Sequence, residues 1–290
     1  MTIHSKAILL RCTISKWDGA IRDTTASKQF MKANNMDENA GVFNKYLISK
    51  SALQPIDKAA LDIRRFHQRM TIPWSLDGVG LITNDRLFEY TQGMRAYKDA
   101  FNTAVTNFLQ HYDIHISDAQ RRLGNRFVRS EFPTKHELAC KFEVDVHPLP
   151  VPSSGHILVD LTEAGMDPAV IDKEVERATD KAMQRMWTAI HVRLSHLCEV
   201  LDDPERRVHK SHFDALGEYV DKLEEFNLFE SEQFKQFISF IRINILNIPL
   251  DDVRHDHAVR SDVANRVREA VSASSQFTGD SDGHSQEDEQ

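Results

Sequence analysis

Basic side chains interleaved with aromatic ones are the pattern in this chain that can do chemistry. Arg64, Arg65 and Arg69 surround Phe66 and His67, and Trp74 follows in the run Thr71-Ile72-Pro73-Trp74. A second cluster, Arg121, Arg122, Arg126, Arg129 and Lys135, surrounds Phe127 and Phe132. Cationic groups neutralise phosphates and release their counterions, while an unstacked base laid on an aromatic face gains about 1–3 kcal/mol. Arg122, Arg126 and Arg129 fall at i, i+4 and i+7. On a helix that spacing sets three guanidiniums in one row, along which a phosphate backbone can lie. The same residues equally suit a solvated cationic face over an aromatic core. Nothing has the form of a recognition helix or a zinc finger, so sequence-specific duplex reading is not expected.

Other chemistries find less to work with. His111 and His115 share a helical face with Asp118 nearby, but a third ligand and an outer partner for a zinc ion are missing. His255-x-His257 and His209-x-x-His212 are flanked by Arg or Lys, which repel a cation. No glycine-rich nucleotide loop, nucleophile elbow or zincin motif occurs. Gly78-Val79-Gly80 reads as a turn and Ser153-Ser154-Gly155 beside His156 as a loop. The expectation is a non-enzyme with no cofactor and no metal.

The 290 residues are 41% hydrophobic and 28% charged, in the globular range. No apolar run is long enough to span a bilayer and the first residues lack a secretory core, so a cytoplasmic protein is expected. Cys12, Cys140 and Cys198 are odd in number and widely spaced, which predicts reduced, buried core thiols. The net charge of -8 is unevenly spread. Residues 1–150 hold 21 Lys and Arg against 16 Asp and Glu, residues 151–279 hold 15 against 23, and residues 280–290 hold five acids and no bases. Such asymmetry points to an anionic partner for the basic half.

The elements that must position these residues follow from periodicity. A β-branched apolar run, Ala7–Ile14, ends at Asp18-Gly19 and reads as a strand. Cys140–Val146 alternates, and Ile157–Leu161 resumes after the proline-rich 148–152 stretch, so these two predict a wide hairpin. Between the strands, helical spacing covers Ala52–Met70, Asn84–Tyr112 and Ser117–Phe127. Asp167-Pro168 opens a helix of roughly 35 residues that Asp202-Asp203-Pro204 ends. Helices over Ser211–Phe226 and Ser231–Asn247 follow. The second is apolar nearly all round, as a bundle core or, failing that, a subunit interface requires. From Ser272 onward the composition predicts disorder. The fold class expected is α+β and mostly helical: a small antiparallel sheet packed with helices, then a helical bundle with one long helix, then a disordered acidic tail. The expected domains are 1–161, an α+β half bearing the DNA surface; 162–271, a helical half that assembles subunits; and the tail, 272–290.

Several blocks of the chain carry a family resemblance. They are Phe66-His67 with Thr71-x-Pro73-Trp74-x-x-Asp77-Gly78, Tyr90-x-x-x-Met94-Arg95-x-x-Lys98, and Arg122-Leu123-Gly124-x-x-Phe127 leading to Phe132-Pro133. Lys141-Phe142-x-Val144, His156-Ile157-Leu158-Val159-Asp160-Leu161, and Trp187 with Ser195-His196-Leu197 continue them, over roughly residues 6–200. The chain thereby resembles a family of phage and prophage proteins, and within it the single-stranded-DNA-binding RNA polymerase cofactors of short-tailed lytic phages. The resemblance implies binding to melted promoter DNA, recruitment of a phage RNA polymerase and a place in the infected host's cytoplasm. With single-stranded DNA and polymerase as partners, a homo-oligomer is expected. The competing expectation is an adaptor that binds only proteins, such as a phage ATPase or polymerase. Its docking surface would be the acidic helical half.

Overall fold

The computed structural model describes residues 6–37, 39–74, 78–152, 167, 169–225 and 232–278. The protein is α+β and mostly helical. Strand β1 (Ala7–Ser15) opens the fold, followed by β2 (Ala20–Arg22), helix α1 (Thr24–Ala33) and β3 (Asn44–Tyr46). Helix α2 (Lys50–Met70), the strands β4 (Ile72–Pro73) and β5 (Val79–Thr83), α3 (Leu87–Gln110), α4 (Tyr112–Leu123) and α5 (Lys135–Ala139) come next. Strand β6 (Glu143–Leu149) completes a four-stranded sheet of order β4-β5-β1-β6, while β2 and β3 pair antiparallel in a separate ribbon. The remaining elements are α6 (Ala169–Asp202), α7 (Lys210–Glu225), α8 (Glu232–Ile241) with a π turn over Arg242–Leu246, α9 (Leu250–His255) and α10 (His257–Ser275).

The chain forms two compact units, and both are discontinuous in sequence. One comprises residues 1–10, 68–87 and 148–290; the other comprises 11–67 and 88–147. This differs from the division at 161/162 read from the sequence. Composition changes once along the chain, but β4 packs against α6, so a hairpin from the middle of the chain belongs with the helical part. The unit with the helical bundle holds 18 Lys and Arg against 30 Asp and Glu, a balance of −12. The other holds 18 against 14, a balance of +4. They are called the acidic and the basic unit below.

In the acidic unit, α6 buries Val175, Ala178, Ala182, Met186, Ile190, Leu194, Leu197 and Leu201 at intervals of three or four. That stripe is what a 34-residue helix, about 50 Å long, needs to be held along its length. α7 and α10 pack against α6. The helix stops at Asp203-Pro204, and its last carbonyls find a donor: the Arg260 guanidinium donates to the oxygens of Val200 (2.8 Å), Leu201 (3.0 Å), Asp203 (2.6 Å) and Arg206 (3.0 Å). α8 buries Phe234, Phe237, Ile238 and Ile241, with Phe234 and Phe237 each 5.0 Å from Trp187, so this apolar helix is core. Ile243, in the π turn, is exposed.

Several expectations shift at this level. α10 extends to Ser275, and Phe277 stacks on Trp187 at 4.3 Å, so the polar stretch from Ser272 begins in ordered structure. Ser274 explains this, since its fully buried hydroxyl is 2.9 Å from His191 Nδ1. Residues 279–290 lie outside the described residues, as does the expected strand Ile157–Leu161. Cys140 is exposed, and Cys12 and Cys198 are half-buried, so the thiols are free but are not core residues. Among the described residues no helix is long and apolar enough to cross a membrane.

Candidate nucleic-acid interface

The arginine row does not form. α4 ends at Leu123 because Gly124 turns the chain with φ +52°, a conformation in which glycine carries no Cβ penalty. Arg126 falls in a 3₁₀ turn (Gly124–Arg126) and Arg129 in another (Arg129–Glu131). Arg122, Arg126 and Arg129 therefore lie on three different local structures.

Each of the three is engaged within the basic unit. Arg122 Nη2 donates to the carbonyl oxygens of Tyr46 (2.7 Å) and Leu47 (3.0 Å) at the end of β3. Arg126 pairs with Asp23 at 3.3 Å and donates to Gln29 Oε1. Asp23 also caps α1 by accepting from Ala26 N at 2.8 Å. Arg129 Nη1 donates to the Phe132 carbonyl at 3.3 Å. Lys45 of β3, only 6% exposed, completes the clamp with an ion pair to Glu131 at 2.5 Å and a bond to the Arg126 carbonyl at 3.2 Å. The cluster that reads as a phosphate track fastens the β2–β3 ribbon to the 122–132 segment.

The other predicted contacts divide. Lys135 pairs with Asp113 at 2.7 Å and Arg121 with Asp118 at 3.1 Å, both on exposed surface where such pairs are weak. Trp74 is 5% exposed, with its carbonyl accepting from Arg185 at 2.6 Å, so it offers no open face for a base. Phe66 is core, 4.8 Å from Tyr97, and the buried His67 ring is hydrogen-bonded with the Tyr90 hydroxyl at 2.9 Å. Phe127 is half-buried, 5.2 Å from the buried Phe132. Arg64, Arg65 and Arg69 are exposed on α2.

What the sequence reading passed over is Trp17. It sits just past β1, half-buried, with its indole 6.4 Å from both Phe108 and Tyr112. Those rings support one side. The segment Ile14–Asp18 and Lys141 line an open depression of about 540 Å³ that includes Trp17, Lys16 and Lys141. Lys141 is exposed and Lys16 pairs with Asp57. Further along β1, Arg64 and Lys98 lie close enough to Cys12 to favour its thiolate, yet burial outweighs them and pushes the thiol up. Burial thus favours the neutral Cys12 thiol, and the two cations stand beside the strand. From Cys12 to Trp17 an extended chain covers roughly 17 Å. The available signal was Lys16-Trp17 directly after an apolar strand, a basic–aromatic pair too short to stand out beside the arginine clusters.

The histidines do other work. His115 stacks on Phe108 at 5.4 Å, and burial holds its imidazole below the usual value; His111 Nδ1 is 2.8 Å from the Asn107 carbonyl. Among the described residues no set of three or more His, Cys, Asp and Glu is placed to hold a metal ion.

Comparison with protein-family models, with curated proteins and with solved structures finds no match to this chain.

Proposed function

We propose that this protein binds single-stranded DNA through its basic unit and acts as a cofactor that brings a phage RNA polymerase to melted promoter DNA. The segregation of charge carries the DNA half of this reading. A chain of net charge -8 gathers a +4 balance into one compact unit, which also bears a half-exposed, ring-supported tryptophan in an open depression with two lysines. Ammonium and guanidinium groups hold the backbone, and Trp17 offers a face to one base. The arginines of residues 122–129 are left out of the proposed surface because carbonyl and carboxylate partners already engage them. The polymerase half rests on the resemblance of residues 6–200 to phage cofactors, and a homo-oligomer belongs to the same reading. The mechanism involves capture and stacking without chemistry on the DNA.

The test is fluorescence anisotropy of a labelled single strand and of its duplex, at low and near-physiological salt. Salt-sensitive preference for the single strand is expected. Equal binding of both forms removes the single-strand preference, and no binding of either at low salt removes DNA from the proposal. The protein-only adaptor then stands, with the −12 balance of the acidic unit as its docking charge.

A further inference from the structure

We propose that Arg193 and Lys222, with Arg86 beside them, form a binding site for a phosphoryl group in the acidic unit. Lys222 Nζ donates to the carbonyl of Gln68 at 2.6 Å, near the end of α2, and lies 5.9 Å from the Tyr219 ring. The Arg193 guanidinium lies over that same ring at 4.2 Å and donates one bond, to the Ala189 carbonyl at 2.7 Å. Arg86 reaches the sulfur of Met70 at 3.6 Å, two residues beyond Gln68. Among the described residues neither Arg193 nor Lys222 makes an ion pair. Arg185 and Arg260 of the same unit likewise donate to carbonyls, but Arg193 and Lys222 are set apart by lying against one and the same tyrosine ring.

Capping the end of α2 accounts for the ammonium on Gln68, but not for a guanidinium held against the same tyrosine ring without a counter-charge. Burial, Arg193 and Arg86 together push the Lys222 ammonium down to about 8. Among the described residues, the groups set against the amine are Tyr219 from its own helix, Arg193 from α6, Arg86 from the turn before α3 and the Gln68 carbonyl from α2. Among the described residues no carboxylate figures in the charges that set its ionisation. An anion seated among these donors removes the repulsion. Two N–H groups of Lys222 and the unused edge of Arg193 reach different oxygens, a multidentate arrangement that fits the three oxygens of a phosphoryl group. Binding favours the charged amine, so affinity falls as the pH rises through about 8.

The experiment follows the Cε–Hε resonances of ¹³C-lysine in the full chain through a pH titration. It is run in chloride, in inorganic phosphate of equal ionic strength, and with oligo(dT). Lys222 is the lysine that titrates near pH 8 and whose signal Lys222→Met removes. Phosphate is expected to raise its midpoint by about half a pH unit, roughly a threefold change in the protonation equilibrium, and Arg193→Gln to cancel the rise. A rise with phosphate alone assigns the site to a free phosphate or phosphorylated small molecule. A rise with oligo(dT) as well assigns it to a DNA backbone. A midpoint that neither additive moves, or a Lys222 titrating with the other lysines, overturns the proposal. The proposal stands apart from the DNA reading of the basic unit: the Lys222 resonance reports the acidic unit and Trp17 emission the basic one, so the two ideas fail separately.

Discussion

Removing the Arg122 guanidinium leaves the carbonyls of Tyr46 and Leu47 without their donor. Hydrogen bonds from a charged donor are worth about 1.5–3 kcal/mol when buried, and partial exposure lowers that. Arg122→Ala should therefore cost about 1–2 kcal/mol in urea denaturation while leaving single-strand affinity unchanged. Lost affinity in a folded variant would return this residue to the DNA surface. A second residue is decided by space. A Cβ on Gly80 would meet Thr71 Oγ1 at 2.1 Å and Thr71 Cβ at 2.4 Å, across the hairpin pairing of Pro73 with Gly80. Gly80→Ala should destabilise by about 1–3 kcal/mol, read as a lower urea midpoint at unchanged slope. Neither result was legible beforehand. Arg122, Arg126 and Arg129 share a face only if the helix continues, and the glycine at 124 was the mark that it stops. Carbonyl partners about 75 residues away leave no local trace in sequence.

Where α6 ends and α7 begins, three imidazoles meet. His212 lies 5.5 Å from His196 and 5.8 Å from His209. Burial, then the charges of His196, His209 and Arg206, hold the His212 imidazole below its usual value. Because the folded-state value is depressed, the unfolded chain takes up the proton first. Stability is therefore full above the ordinary histidine range and falls as the pH drops through it. Urea midpoints should fall between about pH 7.5 and about pH 5.5, and fall less in His212→Asn, with His115 supplying the remainder in the same direction. An equal fall in the variant would show that His212 does not report the junction. The elements themselves were largely readable, because α2, α3, α6, α7 and α8 all carry apolar residues three or four apart. α10 was missed although Asp256 caps it and Val263, Val267 and Ala270 line its buried side. Its arginines made it look like surface, whereas Arg260 and Arg266 donate to backbone carbonyls of the acidic unit, as Arg254 of α9 does.

Across the whole molecule, net charge conceals the asymmetry on which the proposed function rests. Counted along the chain, the basic excess lies in residues 1–150; counted by contact, it lies in 11–67 and 88–147. Charge asymmetry was legible because it needs only composition, and the interleaved boundaries were not, because they depend on which segments pack. Trp74 and Trp187 are each 5% exposed, so Trp17 is the tryptophan whose emission can answer to a bound base. The most direct measurement is the intrinsic fluorescence of the full chain titrated with oligo(dT), repeated as salt is raised and with Trp17→Phe. The account predicts a saturable change in emission that added salt reverses, that duplex DNA does not produce and that Trp17→Phe abolishes. Emission that stays constant at low salt, while anisotropy reports a bound strand, would place the DNA away from Trp17 and contradict the interface proposed here.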